Sequence, residues 1–151
     1  MILYNEIQFI LKQKSPFIFV DKVVLYEEGK RIVALKNVTG SEMFSALHFP
    51  DNSVYPGIFI IEAAAQATSV LFSLTTKKDV ASSSELWVLG GVQRFCFIKQ
   101  VRPGDTLRIE INVVKLYQQM AIVEVSVKVD NELVAQGQLT FGAVKDESTK
   151  G

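Results

Sequence analysis

The chain has 151 residues, of which 48% are hydrophobic and 21% charged, a composition typical of one globular domain and unlike that of disordered or fibrous chains. Sixteen basic residues balance sixteen acidic residues, so no excess positive charge indicates nucleic-acid binding, and the single cysteine, Cys96, can close no intrachain disulfide. The first residues lack the basic and apolar regions of a signal peptide, and no uncharged apolar run reaches membrane-spanning length. We therefore predict a soluble cytoplasmic protein.

The first third of the chain predicts a short helix, a hairpin and a long loop. Apolar residues recur at helical spacing over residues 3–12, and Ser15-Pro16 then breaks the pattern. Residues 17–26 and 31–38 are rich in β-branched and aromatic side chains and are separated by turn residues, which is typical of a β-hairpin. Residues 40–57 form an irregular stretch with two prolines, and long loops in small domains are more often functional than idle.

The remaining residues predict a buried helix followed by an antiparallel sheet. Residues 58–74 contain neither proline nor glycine and are apolar on nearly all sides, so this helix must be wrapped by other elements. A polar connection over 77–85 leads to four strand-like runs with short turns, at about 86–98, 105–116, 120–129 and 132–142. We predict one α+β domain over 1–151, with an antiparallel sheet of about six strands around one central helix and a frayed tail at 143–151.

His48 is the only histidine of the chain and lies within the long loop. An imidazole titrates near neutral pH and is therefore suited to proton transfer. Taken alone, a single histidine is more often a surface residue or a hydrogen-bonded structural residue than a catalytic one.

Glu62 is the one charged residue inside the apolar helix, and Gln66 follows it by one turn. Residues four apart share a helix face, so these two polar side chains form a stripe on an otherwise apolar surface. A buried carboxylate is costly unless it is paired or used in chemistry. The alternative explanation is an internal hydrogen-bonded pair or a subunit contact.

Gly57 immediately precedes the predicted helix, where the first amide groups have no partner within the helix. Such amides can bind an oxyanion, and a glycine lets a ligand approach the backbone closely. Together, His48 as base, the Gly57 amide as stabiliser of an enolate and Glu62 as acid fit removal of water from a β-hydroxy thioester, with no metal or organic cofactor required.

The loop and helix also resemble a known family. His48-Phe49-Pro50, Val54-Tyr55-Pro56-Gly57 and Ile61-Glu62-Ala63-Ala64-Ala65-Gln66 are similar to the signature of the FabZ-type 3-hydroxyacyl-[acyl-carrier-protein] dehydratases. The resemblance implies a hot-dog fold and a dimer or trimer of dimers, with His48 of one protomer facing Glu62 of the other. It implies a carrier-bound (3R)-3-hydroxyacyl substrate, a trans-2-enoyl product, and a substrate-binding role for Phe49, Tyr55, Pro56, Gly57 and Gln66.

The chain departs from that signature in the loop. Asp51-Asn52-Ser53 stands where the family commonly has Gly-His-Pro, and Tyr55 replaces a usual methionine. Because acyl carrier proteins are acidic, we also predict a docking patch near a later turn, formed by Arg94, Lys99 and Arg102. Solvated surface cations are the alternative explanation of these three residues.

The same residues are compatible with two other functions. A hot-dog thioesterase would use the helical carboxylate to activate water against the same carbonyl, but it would need no second proton-transfer group at the position of His48. A catalytically silent hot-dog subunit could bind acyl chains or pair with an active partner. The presence of both His48 and Glu62 favours the dehydratase in fatty-acid or related acyl biosynthesis.

Overall fold

A computed structural model describes residues 1–76 and 85–147 of the chain. Within these residues, seven antiparallel strands form one sheet in the order β1-β2-β3-β5-β6-β7-β4. The strands are β1 (Ile2–Leu3), β2 (Lys22–Glu27), β3 (Arg31–Asn37), β4 (Glu85–Phe97), β5 (Thr106–Tyr117), β6 (Met120–Val129) and β7 (Glu132–Lys145). The helices are α1 (Tyr4–Ile10), α2 (Phe44–Leu47) and α3 (Gly57–Thr76).

Helix α3 lies against one face of the sheet and forms the centre of the core. Its alanines Ala63, Ala64 and Ala67 are fully buried, and these small side chains let the sheet approach the helix closely. By length and hydropathy alone this helix could cross a membrane, but more than half of its most apolar stretch is buried against the rest of the protein. It has the character of the core helix of a globular domain.

Strands β5 and β6 supply the other side of the core through alternation of buried and outward residues. In β5, Leu107, Ile109 and Ile111 are fully buried, and the residues between them face outward. Because successive side chains of a strand point to opposite faces, this period of two places one apolar face on α3 and leaves the other polar. The predicted sheet around a central helix, the hot-dog arrangement, is therefore confirmed.

Strand β4 ends the sheet and pairs on one side only, with β7. Its unpaired edge is long, and its apolar side chains keep about four- to five-tenths of their surface exposed, namely Val88, Leu89, Val92 and Phe97. Unpaired backbone groups along such an edge are open to another strand. The opposite edge is the two-residue strand β1, which offers little to pair with.

Several predicted boundaries differ from the structure. The first helix spans Tyr4–Ile10 and not 3–12, because the preceding residues pair as β1 with β2. The first hairpin strand begins at Lys22 and not at 17, since Phe17 and Phe19 hydrogen-bond to a side chain of α3. The predicted loop contains α2, and β7 continues to Lys145, so the residues expected to fray from 143 are partly paired with β4. The expected connection at 77–85 lies outside the described residues, apart from its last residue, which begins β4.

Candidate active site

His48 directly follows helix α2, and its ring is held by the backbone of its own loop. Its Nδ1 lies 2.8 Å from the carbonyl oxygen of Val54. A carbonyl only accepts hydrogen bonds, so Nδ1 carries the hydrogen of the neutral ring and Nε2 keeps a free lone pair. Phe49, whose φ is 53°, packs its ring at 4.5 Å from the His48 ring. The ring is thus oriented as a proton acceptor through Nε2.

A buried ion pair anchors the start of this loop to the sheet. Lys36 on β3 is 6% exposed, and its Nζ lies 3.1 Å from Oε1 of Glu42. The same oxygen accepts the backbone N–H of Thr39 at 3.0 Å. The Lys36 ammonium also lies 5.9 Å from the centre of the Phe19 ring. These contacts position α2, and with it the residue that follows.

Two clefts open beside His48, and Gly57 lies in the wall of both. The first has a volume of about 800 Å³ and a mainly apolar lining that includes Phe17, Phe19 and Phe59. The second has a volume of about 460 Å³ and runs between the start of α3 and the end of β4, past Phe97. Both clefts could take an apolar chain whose reacting end lies at His48.

Gly57 is the first residue of α3 and is covered by an aromatic ring. A Cβ at this position would lie 2.8 Å from the Phe97 ring, so a side chain fits only if that ring moves. The amide of the first helical residue has no partner within the helix and is free to donate to a ligand. Close packing therefore favours glycine here, and the need for an amide donor excludes only proline.

Tyr55 and Pro56 form the buried part of the same segment. Tyr55 is 2% exposed, and its ring packs edge-on against Phe44 at 4.9 Å and against Phe59 at 5.8 Å. Its hydroxyl has no hydrogen-bond partner within the described residues, and burial, with smaller effects of the Glu42 and Asp21 charges, raises the pKa of Tyr55. The structure places this ring mainly in the core beneath the clefts.

Glu62 and Gln66 lie one turn apart on α3 and are joined by a hydrogen bond of 3.0 Å from Nε2 of Gln66 to Oε1 of Glu62. Gln66 is 1% exposed, and its amide also donates to the carbonyl of Phe17 at 2.9 Å and accepts the N–H of Phe19 at 2.7 Å. The side chain of Gln66 is thus committed to holding the 17–19 segment and orienting Glu62.

The structure brings only part of the predicted site together within one chain. His48, Pro56 and Gly57 line the first cleft, whereas Glu62 lines neither cleft beside His48. The three predicted docking cations are each engaged by polar groups. Lys99 pairs with Glu132, and Arg94 donates to Gln138. Arg102 bonds to the loop itself through Asn52 and Ser53, and to the nearby Gln100.

The sequence patterns did not indicate the supporting residues Lys36 and Glu42. Only the placement of Lys36 at an inward position of a strand, six residues before a carboxylate, hints at the pair. Lysine and glutamate are common on surfaces, so the pattern alone carries little information.

The amino-acid sequence of the chain is similar to those of known proteins. The FabA-like domain family matches residues 11–138. A 3-hydroxyacyl-[acyl-carrier-protein] dehydratase FabZ from Staphylococcus haemolyticus is 41% identical over 140 residues, covering 91% of this chain and 92% of that protein. The FabZ dehydratase of Staphylococcus epidermidis RP62A is 40% identical over 145 residues, covering 95% of both chains.

Solved structures show the same fold at low sequence identity. The dehydratase heterocomplex ApeI:P from Xenorhabdus doucetiae superposes with a TM-score of 0.78 at 18% identity, over 92% of this chain and 91% of that one. A thioesterase from Haemophilus influenzae gives a TM-score of 0.67 at 14% identity, over all of this chain and 96% of that one. Identities this low establish the shared fold and leave the reaction to the site.

Proposed function

The chain belongs to the FabA-like family, and from that membership and the site geometry we propose that it is a 3-hydroxyacyl-[acyl-carrier-protein] dehydratase of the FabZ type. The observation that carries the proposal is His48, whose ring is fixed with Nε2 free beside an apolar cleft and a helix N-terminus. Identity of about 40% to FabZ dehydratases over nearly the whole chain supports the same reaction. The product would be a trans-2-enoyl thioester and water.

In this proposal His48 removes the proton from C2 of the substrate through Nε2. The negative charge that develops on the thioester oxygen is stabilised by the amide of Gly57 at the start of α3. Glu62 gives a proton to the C3 hydroxyl, which leaves as water while the C2–C3 double bond forms. Side chains and backbone perform each step, so the reaction as proposed draws on no metal or organic cofactor.

We propose that each site is shared between two chains. Within one chain Glu62 does not reach the clefts of His48. The exposed apolar edge of β4 is suited to antiparallel pairing with the same strand of a second copy. Such a dimer would bring Glu62 of the partner subunit to the cleft. Whether dimers assemble further into a trimer of dimers stays a prediction, as does the cytoplasmic location.

The substrate carrier belongs to the proposal as well. The FabZ relatives act on chains attached to acyl carrier protein, and we propose an acidic carrier as the partner here. The carrier would deliver the acyl chain on its phosphopantetheine arm to the cleft of about 800 Å³. The position of this enzyme in fatty-acid or related acyl biosynthesis follows from that substrate class.

The reaction is tested by following the 3-hydroxyacyl and 2-enoyl thioesters spectroscopically with carrier-bound substrates. We expect turnover by the native protein and a loss of roughly 10²–10⁴-fold in kcat for both His48→Ala and Glu62→Gln. Release of free thiol in place of enoyl product would identify a thioesterase. A folded native protein that binds the acyl carrier without turnover would identify a silent subunit.

Site sharing is tested separately by mixing the two inactive variants. Co-refolded His48→Ala and Glu62→Gln chains form mixed dimers in which one of the two sites has both native residues. If sites are shared, about one quarter of native activity returns in a statistical mixture. If each site is complete within one chain, the mixture stays as inactive as either variant.

A further inference from the structure

Arg102, in the turn after β4, lies against the loop that carries His48. Its guanidinium donates through one nitrogen to Oδ1 of Asn52 at 2.5 Å and to the carbonyl of Ser53 at 3.3 Å. The other terminal nitrogen donates to Oε1 of Gln100 at 2.7 Å, and the backbone N–H of Arg102 donates to Asp105 at 2.8 Å. We propose that Arg102 is a positioning residue that fixes the His48 ring by clamping residues 52–53.

The clamp reaches the imidazole through two successive peptide units, 53–54 and 54–55. Ser53 precedes Val54, whose carbonyl accepts the Nδ1 hydrogen of His48. The next residue, Tyr55, donates its backbone N–H to the carbonyl of Val101 at 2.7 Å. Residues 53–55 are therefore held on one side by the 101–102 segment and on the other side by the His48 ring.

The loop depends on this clamp because it has little regular structure of its own. Asn52 donates its backbone N–H to the Phe49 carbonyl at 2.9 Å, and the Ser53 hydroxyl donates to the Ser45 carbonyl at 3.4 Å. Both bonds are local to the loop, whereas Arg102 joins it to the turn after β4. A planar guanidinium with several donors in fixed directions is suited to holding a side-chain oxygen and a carbonyl together.

Loss of the clamp has a defined chemical consequence. The carbonyl of Val54 belongs to the adjoining 54–55 peptide, so movement of the 53–54 peptide displaces it, and it no longer selects the ring tautomer with hydrogen on Nδ1. An unconstrained imidazole exchanges between its two neutral tautomers, and the form with hydrogen on Nε2 cannot accept the substrate proton. Displacement of a catalytic group by about 1 Å can cost up to 10²-fold in rate.

The competing role for Arg102 is docking of the acidic carrier. A docking cation acts on encounter with the carrier, so its loss would raise KM for carrier-bound substrate in a salt-dependent manner. A positioning residue acts on the His48 ring, so its loss lowers kcat for any substrate. The two roles separate when one substrate has the carrier and the other is the same acyl chain on a small thiol, such as N-acetylcysteamine.

The test compares Arg102→Gln, Arg102→Lys and Asn52→Ala with native protein, and Arg108→Gln is the matched control. Arg108 is an arginine on the outer face of β5 that bonds to Glu110, away from the loop. We expect Arg102→Gln to lower kcat roughly 10- to 100-fold on both substrates. Arg102→Lys keeps the positive charge but loses the planar guanidinium with its several donors. Its kcat should therefore lie between those of native protein and Arg102→Gln. The double variant with Asn52→Ala should be no slower than Arg102→Gln alone, because both changes remove one clamp.

The ring of His48 gives a readout that does not require turnover. His48 is the only histidine of the chain, so its ring ¹⁵N signals need no assignment by mutation. At a pH at which the imidazole is neutral, the ring signals of native protein and of Arg108→Gln should show the tautomer with hydrogen on Nδ1. The signals of Arg102→Gln should show a mixture of the two neutral tautomers. An unchanged tautomer in Arg102→Gln, or a change confined to KM for carrier-bound substrate, overturns the proposal.

The kinetic part of this inference rests on the proposed dehydratase function, and the tautomer part does not. If native protein turns over neither substrate, the proposed function fails while the ring spectra still decide whether Arg102 positions His48. If Arg102→Gln does not fold, Arg102→Lys and Asn52→Ala carry the same comparison, each with the expectation of a partial tautomer change.

Discussion

The two proposed catalytic residues are held in place by different means. Glu62 lies within the regular helix α3, and the fully buried Gln66 one turn later orients it. His48 lies in a loop that is held by the backbone bond from Tyr55 to Val101 and by side-chain contacts, among them those of Lys36, Arg102 and the His48 ring itself. The proposed acid, Glu62, is thus fixed by the backbone of a regular helix, which is costly to disturb. The proposed base, His48, is fixed by individual bonds that single substitutions can remove. Sequence variation in the loop should therefore change catalysis with less effect on folding.

The largest effect on stability should come from the helix side, at Gln66. Replacement by Leu leaves the buried Phe19 N–H and the Phe17 carbonyl without a partner, so we expect the free energy of unfolding to fall by roughly 2–4 kcal/mol. Urea denaturation measures this, with Gln119→Leu on an exposed turn as the control. Equal stability of the two variants would show that Gln66 does not anchor the 17–19 segment.

A smaller loss is expected on the loop side, at Glu42. Replacement by Gln leaves the ammonium of Lys36 buried without a counter-charge. Breaking fully buried pairs costs 3–5 kcal/mol, and because the Glu42 side chain is 20% exposed we expect a loss on the order of 2 kcal/mol, together with reduced kcat. The exposed pair of Lys99 and Glu132 is the control, and Glu132→Gln should change stability little. Similar losses in both variants would contradict the anchoring role.

Tyr55 lies between the loop and the helix, and its replacement should not lower the free energy of unfolding as the two substitutions above do. Its hydroxyl is buried without a partner among the described residues, so Tyr55→Phe removes a desolvated polar group and keeps the ring packing. We expect unchanged stability or a gain of up to about 1 kcal/mol, with kcat retained. A clear loss of stability would mean that the hydroxyl has a partner in solution, and a loss of kcat alone would support the predicted role in substrate binding.

The smallest effect is a pH dependence at the exposed pair of Glu132 and Lys99, of which Lys99 lines the second cleft. Lys99 bonds to Glu132 and holds the pKa of that carboxyl below its ordinary value. The contribution of this pair to stability is therefore present above the ordinary glutamate pKa and is lost as pH falls through the lowered value in the folded protein. Between about pH 6 and pH 3, the small difference in urea midpoint between native protein and Glu132→Gln should shrink, and high salt should remove it. A difference that grows with acidification would contradict this assignment.

The sequence predicted the elements with strong periodicity well. The central helix, expected at 58–74, spans Gly57–Thr76, and the strand expected at 120–129 spans Met120–Val129. The two-residue strand β1 and the four-residue helix α2 were not predicted. Elements this short carry too few side chains for a period to emerge, and neighbouring segments decide their conformation.

The sequence by itself determined the fold class and the chemical character of the site. An apolar helix interrupted by Glu62 and Gln66 must be wrapped, and a histidine followed by Pro56-Gly57 at a helix start restricts the chemistry that can occur there. These patterns are formed by residues that are close together in the chain, so they can be recognised from the sequence alone.

Only the tertiary structure decided which polar groups are free and which are already used. Gln66 was predicted to bind substrate, but its amide is hydrogen-bonded to Phe17, Phe19 and Glu62. Arg102 was predicted to dock a carrier, but its guanidinium is hydrogen-bonded to the loop of His48. Phe19 and Phe17 lie 47 and 49 residues from Gln66 in the chain, and Asn52 lies 50 residues from Arg102. A hydrogen bond between such distant residues depends on how the sheet brings two segments together, and no spacing in the sequence encodes that distance.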